Sequence, residues 1–304
     1  MVQFNIQDEV TDFEGAENNR LAATVYRPQQ NHISHPPILL MHGGGQTRHS
    51  WDGAARMLAA RGNIAITVDA RGHGDSDWLA NENYSFRNYA EDLTTLVLQV
   101  KSRFGKDALA PVVVGASMGG ISAMIAQSRE DKANPLFSAI VLVDITPRMQ
   151  ASGVNKIMGF MSKNMRDGFA EIEDAAEAIA SYLPNRQRPK SLGGLSKNLR
   201  QQDDGRWYWH WDPAFIDGKH NIASGIYGSA ESLVDAARQI SVPTLLVRGG
   251  KSELVTEEAA NEFVALVPQA EYVDVSDAGH MVAGDKNDVF ASAVIAFLNA
   301  KGLA

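Results

Sequence analysis

A short apolar run that stops at a glycine-rich or acidic turn recurs along this chain, and that repetition narrows its fold more than any other feature. Ile38-Leu39-Leu40-Met41 ends in His42-Gly43-Gly44-Gly45, and Ile64-Ala65-Ile66-Thr67-Val68 ends in Asp69-Ala70-Arg71-Gly72-His73-Gly74. Val112-Val113-Val114 ends in Gly115-Ala116-Ser117-Met118-Gly119-Gly120, and Ile140-Val141-Leu142-Val143 ends in Asp144. Thr244-Leu245-Leu246-Val247 ends in Arg248-Gly249-Gly250, and Glu271-Tyr272-Val273-Asp274-Val275 closes shortly before Gly279-His280. Continuous apolar runs of this length suit parallel strands buried on both faces. Helical patterns lie between them, around residues 51–60, 89–102, 120–128, 256–267 and 287–298. Strand alternating with helix predicts an α/β fold, a mostly parallel central sheet with helices on both faces. Reactive groups on such a sheet belong at the C-terminal ends of its strands, where the turns named above fall. Weak alternation in Gln3-Phe4-Asn5-Ile6 and in Leu21-Ala22-Ala23-Thr24-Val25-Tyr26 adds an antiparallel pair at a sheet edge.

One region breaks the alternation. From about 146 to 237 no buried strand is evident, and the chain instead carries helix-like stretches and the tract Arg206-Trp207-Tyr208-Trp209-His210-Trp211. The expected division is a core of residues 1–147 and 236–304 with a helical cap inserted at 148–235.

Composition excludes several function classes. The 304 residues are 44% hydrophobic and 21% charged, ordinary values for a globular protein. A net charge of −8 without a basic run gives no reason to expect nucleic acid as a partner. Cysteine is absent, which removes disulfides, thiolate catalysis and cysteine-based metal sites. No apolar run approaches the roughly 20 residues that span a bilayer, so no membrane association is expected. The opening residues show no basic-then-apolar signal, and a cytoplasmic location is the default expectation.

The most specific motif is Gly115-Ala116-Ser117-Met118-Gly119, a G-x-S-x-G directly after an apolar strand and before a helix-compatible segment. In that layout the serine sits on a strained strand-to-helix turn that exposes its hydroxyl. The new helix turns free N–H groups toward developing negative charge. A serine hydroxyl is a poor nucleophile at neutral pH and needs an adjacent base. His280, between the last strand and the final helix, is placed to serve as that base over Ser117. Glu253 follows the penultimate strand and gives the order serine, acid, histidine, so it is the favoured orienting acid; Asp144 is the alternative. The amides of Met118 and Gly44 are the expected oxyanion donors, with Gly43 as the alternative to Gly44, since only glycine lets a backbone N–H approach the reacting carbonyl so closely. Trp51, Met158, Trp209 and His210 are candidate pocket residues, and His42 and His73 are read as braces of their turns. No metal-ligand spacing is present, and neither metal nor other cofactor is expected.

Taken together, the His42-Gly43 turn with Trp51 downstream, Asp69-Ala70-Arg71-Gly72-His73-Gly74-Asp75-Ser76, the elbow at Ser117, the turn from Arg248 to Val255 and Gly279-His280 resemble the α/β-hydrolase superfamily. The similar branch contains carboxylesterases, lactonases, carbon–carbon bond hydrolases and cofactor-free perhydrolases. The resemblance implies a serine hydrolase acting on a small molecule with an apolar acyl or alcohol part. It leaves open acyltransferase, lactonase, thioesterase, carbon–carbon hydrolase or perhydrolase chemistry on the same triad, and a non-catalytic ligand-binding scaffold. It fixes no oligomeric state. In that branch the acid after the penultimate strand is most often aspartate, and the departure to Glu253 keeps Asp144 in contention. Relatives with dehalogenase or epoxide hydrolase activity carry aspartate at the nucleophile, so Ser117 argues against both. Arg71 and Asp75 fall in a segment whose family role is architectural.

Overall fold

Side chains alternate across a strand, so a run that is apolar at every position serves two cores at once. In the computed structural model, which describes residues 5–29, 35–104, 110–183, 192–276, 278–280 and 287–304, this is what the central strands do. The strands in chain order are β1 (Ile6–Glu14), β2 (Arg20–Pro28), β3 (Ile38–Met41), β4 (Ala65–Val68), β5 (Val112–Ala116) and β6 (Ala139–Val143), then β7 (Leu199–Gln201), β8 (Trp207–Trp209), β9 (Thr244–Gly249) and β10 (Ala270–Val275). Leu39 and Met41 of β3, Val113 of β5 and Ile140 and Leu142 of β6 enter one apolar cluster. Ile38, Leu40, Val112, Val114, Val141 and Val143 enter the other.

Eight of the described strands form one sheet in the order β1-β2-β4-β3-β5-β6-β9-β10. From β4 to β10 all neighbours are parallel, and β1 and β2 join as an antiparallel edge. The edge pair matches expectation; among the described residues its first strand is Ile6–Glu14, which extends well past the alternation, and Gln3 and Phe4 lie outside the described residues. Most of β1 faces water, so selection for an apolar face is weak there and the pattern reads as noise.

Helices α1 (Asp52–Ala59) and α9 (Asn287–Ala300) cover one face of the sheet, with Leu58, Phe290 and Val294 in its core. Helices α2 (Phe86–Phe104), α3 (Met118–Ser128), α7 (Ala230–Arg238) and α8 (Glu257–Leu266) cover the other, bringing in Leu93, Val97, Met124, Leu233 and Phe263. Between β6 and β9 lie α4 (Ala151–Ser162), α5 (Ile172–Tyr182), the short antiparallel pair β7–β8 and α6 (Ala214–Asp217). The insert is therefore helical with a small ribbon, and α7, whose first residues fall within 148–235, packs Leu233 onto the sheet. A third apolar cluster joins Met161, Phe169, Trp209, Trp211 and Phe215 of the insert to Tyr84, Tyr89 and Met118 of the core. Because Met118 opens α3 at the C-terminal edge of β5, the insert sits over that edge. Among the described residues no helix is long and apolar enough to cross a membrane.

Candidate active site

Register brings the key positions together. Met41 pairs with Gly115, Ala116 with Val143, and Val143 with Val247, so β3, β5, β6 and β9 end nearly level. Ser117 and Asp144 are each the next residue past the paired Ala116 and Val143, on strands about 4.8 Å apart.

Ser117 has φ 46° and ψ −113°, a conformation that side-chain-bearing residues seldom adopt. The flanking glycines make it feasible. A Cβ on Gly115 would stand 2.5 Å from the Gly120 nitrogen, and one on Gly119 would stand 2.5 Å from the Met41 carbonyl oxygen. Helix and strands thus close to backbone contact, and the serine at the bend is only half buried. Its amide donates to the Val143 carbonyl at 3.2 Å, tying the bend to β6.

His280 Nδ1 donates to Asp144 Oδ2 at 2.7 Å. In the neutral ring this leaves Nε2 as the unprotonated nitrogen, the state a general base requires. The loop carrying His280 is fastened to the turn after β9. The Lys251 amide donates to Ala278 O at 2.9 Å, and a Cβ on Gly249 would overlap the Gly279 carbonyl. The Asp144 carboxylate is fully buried and also accepts from the Gly249 amide at 2.9 Å and from Ser252 Oγ at 2.6 Å.

Of the two candidate acids, Asp144, the alternative, is the carboxylate bonded to His280, and Glu253, the favoured one, is turned away from it. Glu253 is 65% exposed and pairs with Lys156 of α4 at 2.5 Å. The physical reason lies in the turn after β9, where Ser252 points inward to Asp144 and its neighbour therefore points out. Both acids satisfy the serine, acid, histidine order, so order alone could not separate them. The direction of the Ser252 hydroxyl, which separates them, is visible only in the folded turn.

The turn after β3 stands against the elbow: a Cβ on Gly43 would lie 3.4 Å from Ser117 Cβ. The Gly43 amide donates to Gln46 Oε1 at 3.1 Å, and the Gly45 amide to His73 Nε2 at 3.1 Å. The amides of Gly44 and Met118 have no acceptor among the described residues. Of the three glycine N–H groups in this turn, the middle one is thus without an acceptor among the described residues.

Two buried imidazoles hold this turn. His42 Nδ1 donates to Gly43 O at 2.8 Å while its Nε2 accepts the Ala70 amide at 3.0 Å. His73 Nδ1 donates to Arg71 O at 3.0 Å while its Nε2 accepts from Gly45. Each role needs a neutral ring, and burial supplies it, lowering the His42 pKa and pushing that of His73 down to about 3. Arg71 is a brace as well: it grips Asp92 at 2.6 and 2.5 Å and Glu17 at 2.6 Å. Asp75 is held by Arg48 at 2.7 Å.

The pocket candidates divide. Trp51 is buried in the sheet core against Phe290, with ring centroids 5.6 Å apart. An indole this close to the N-terminus of α1 faces inward because α1 must cover the sheet. Trp209 is packed between Phe160 and Phe169, at 5.7 and 5.2 Å, inside the insert. Met158 is half buried on α4; the methionine that reaches the glycine turn is Met161, whose Cε stands 2.9 Å from where a Gly45 Cβ would be. Phe215 closes over Gly44 in the same way. His210 lines a polar cleft of about 260 Å³ with Arg48, Asp75, Lys197 and Arg200, and neither Ser117 nor His280 borders that cleft. No group of three potential metal ligands is found among the described residues.

A family model described as alpha/beta hydrolase fold matches residues 36–286. Esterase Rv0045c of Mycobacterium tuberculosis is 28% identical over 260 residues, covering 83% of this chain and 79% of the relative. The 3-hydroxybutyrate-oligomer hydrolase of Cupriavidus necator is 26% identical over 256 residues, covering 81% and 83%. A crystal structure of an alpha/beta hydrolase from Novosphingobium aromaticivorans superposes with a TM-score of 0.76 at 22% identity, covering 98% of this chain and 99% of that one.

Proposed function

This chain belongs to the α/β hydrolase family, and from that premise we propose that it is a serine esterase working through Ser117, His280 and Asp144. The observation that carries the reading is the 2.7 Å bond from His280 to a buried carboxylate one strand from a strained, half-buried serine. Relatives named as an esterase and an oligomer hydrolase support ester bonds as the target class.

In the proposed cycle His280 Nε2 removes the Ser117 proton as Oγ attacks the ester carbonyl, and the carbonyl π electrons move onto oxygen. The amides of Met118 and Gly44 receive that oxyanion, each donor worth roughly 2.7–4 kcal/mol. Collapse of the tetrahedral intermediate breaks the bond to the alkoxide, which takes the proton from His280 and leaves as alcohol. Water then repeats the sequence on the acyl-enzyme and releases the acid and free Ser117. Asp144 holds the ring tautomer and balances imidazolium without taking the proton. Residues 148–235 act as a cap, with Met161 and Phe215 making the wall above the oxyanion turn apolar.

The test is hydrolysis of p-nitrophenyl esters of increasing chain length together with labelling by a fluorophosphonate probe. Wild-type protein is expected to do both, and Ser117→Ala to lose labelling and roughly five to six orders of magnitude in kcat. His280→Ala should lose a comparable amount. Labelling that persists in Ser117→Ala, or turnover unaffected by His280→Ala, would overturn the assignment.

A further inference from the structure

Ser252 is the residue in the turn after β9 whose side chain faces inward, and its hydroxyl has every bonding position filled. Its oxygen accepts the amides of Leu254 at 3.1 Å and Val255 at 3.2 Å. Its single proton goes to Asp144 Oδ2 at 2.6 Å. Two acceptor bonds from a rigid turn fix the rotor, so the O–H direction is set before any substrate arrives. The same Oδ2 accepts a hydrogen bond from His280 Nδ1, and Oδ1 accepts one from the Gly249 amide. Two donors sharing one carboxylate oxygen define its plane, and the amide on the other oxygen prevents the group from turning over. The backbone of Asp144 sits at φ 50°, a strained conformation that persists because contacts such as these fix it.

We infer that Ser252 is a positioning residue for the proposed reaction: its hydroxyl locks the Asp144 carboxylate in the orientation that receives His280. The inference rests on the serine-esterase reading above. The acid and its anchor are thus divided between two adjacent strands, β6 supplying the carboxylate and β9 the hydroxyl that aims it. The hydroxyl touches neither substrate nor reacting atoms and acts only through Asp144 and the imidazole.

The experiment measures kcat, KM and the rate of fluorophosphonate labelling for wild type, Ser252→Ala and Ser252→Thr, with p-nitrophenyl butyrate as substrate. Losing a buried hydrogen bond to a charged group predicts a fall of roughly 10- to 100-fold in kcat and in labelling rate for Ser252→Ala. KM should stay within about twofold, since binding contacts are untouched. Ser252→Thr keeps the hydroxyl and should return to within about threefold of wild type, a rescue that general damage to the turn would not allow. The inference is overturned if Ser252→Ala labels and turns over at the wild-type rate, or if Ser252→Thr is as impaired as Ser252→Ala. Wild-type protein that neither labels nor hydrolyses would instead sink the esterase reading on which the inference stands.

Discussion

Two turns at one edge of the sheet each carry a carboxylate, and they treat it in opposite ways. Asp144, directly after β6, is shut off from water and takes hydrogen bonds from an amide, a hydroxyl and an imidazole. Glu253, in the turn after β9, is largely exposed and meets one lysine. Burying a charge is costly unless donors compensate it, so a fully enclosed carboxylate with three donors is a feature that folding must build around. A rim carboxylate costs little and organises little. Both lie between Ser117 and His280 along the chain; what separates them is depth. Depth follows from the strand. Asp144 is the residue immediately after a five-residue run buried throughout, whereas Glu253 comes after β9 has ended at Gly249 and the chain has reached the rim.

The sharpest way to break this contrast is Asp144→Asn. The amide keeps the shape but turns a donor or a neutral acceptor toward His280, disfavouring the tautomer with a free Nε2. A fall of about 10⁴-fold in kcat on a p-nitrophenyl ester is expected. Adding Ser252→Asp to that variant returns a carboxylate to a point within about two hydrogen-bond lengths of the same imidazole, and should recover roughly tenfold or more over Asp144→Asn alone. Single-turnover acylation rates check both. An Asp144→Asn enzyme with near wild-type turnover would transfer the role to another group.

The fold was readable because parallel strands buried on both faces leave an unbroken apolar signature, and β3, β5, β6 and β9 all carry it. The placements of Ser117, on a bend flanked by glycines, and of His280, in a loop after the last strand, were readable from local context. The acid was not. A hydrogen bond between residues 136 positions apart depends on which way a turn directs Ser252 and Glu253, and no periodicity encodes that. Trp51 misleads for a related reason: near a functional turn it suggests a pocket, yet the sheet face behind it must be filled and an indole fills it. The full length of β1 escaped because an edge strand facing water has no apolar face to betray it.

The same contrast between depth and rim extends to the imidazoles and gives a prediction in pH. His280 is 20% exposed and has a carboxylate partner, whereas His73 is enclosed with backbone partners on both nitrogens. The folded-state pKa of His73 lies near 3, below the ordinary unfolded value of about 6.5. Above about 6.5 both states are neutral and the group contributes nothing to the pH dependence. As pH falls below that value the unfolded chain binds a proton that the folded one refuses, so stability declines down to about pH 3, by at most about 1.4 kcal/mol per unit. His73→Gln keeps an acceptor for the Gly45 amide but cannot titrate. Denaturant unfolding at pH 7, 6 and 5 should therefore give a shallower slope for the variant than for wild type, whatever packing it loses at pH 7. Equal slopes would mean that His73 is already protonated in the fold, and that the glycine turn is held by something else.

The smallest effect belongs to the rim carboxylate. Glu253→Gln removes the charge that meets Lys156 across the seam between α4 and the turn after β9. Both partners are substantially exposed, so the pair should contribute less than about 1 kcal/mol to stability, and raising salt should shrink the difference further. Turnover should stay within about twofold of wild type, because neither the Ser252 hydroxyl nor the Asp144 carboxylate depends on the Glu253 side chain. Measured beside Asp144→Asn, this variant separates two accounts of the turn. If Glu253→Gln lost orders of magnitude while Asp144→Asn did not, the exposed turn would have to swing inward during the reaction, and the buried carboxylate would be a structural prop. A null result for Glu253 together with a large one for Asp144 ties the working acid to β6, leaving the glutamate to hold α4 against the edge of the site.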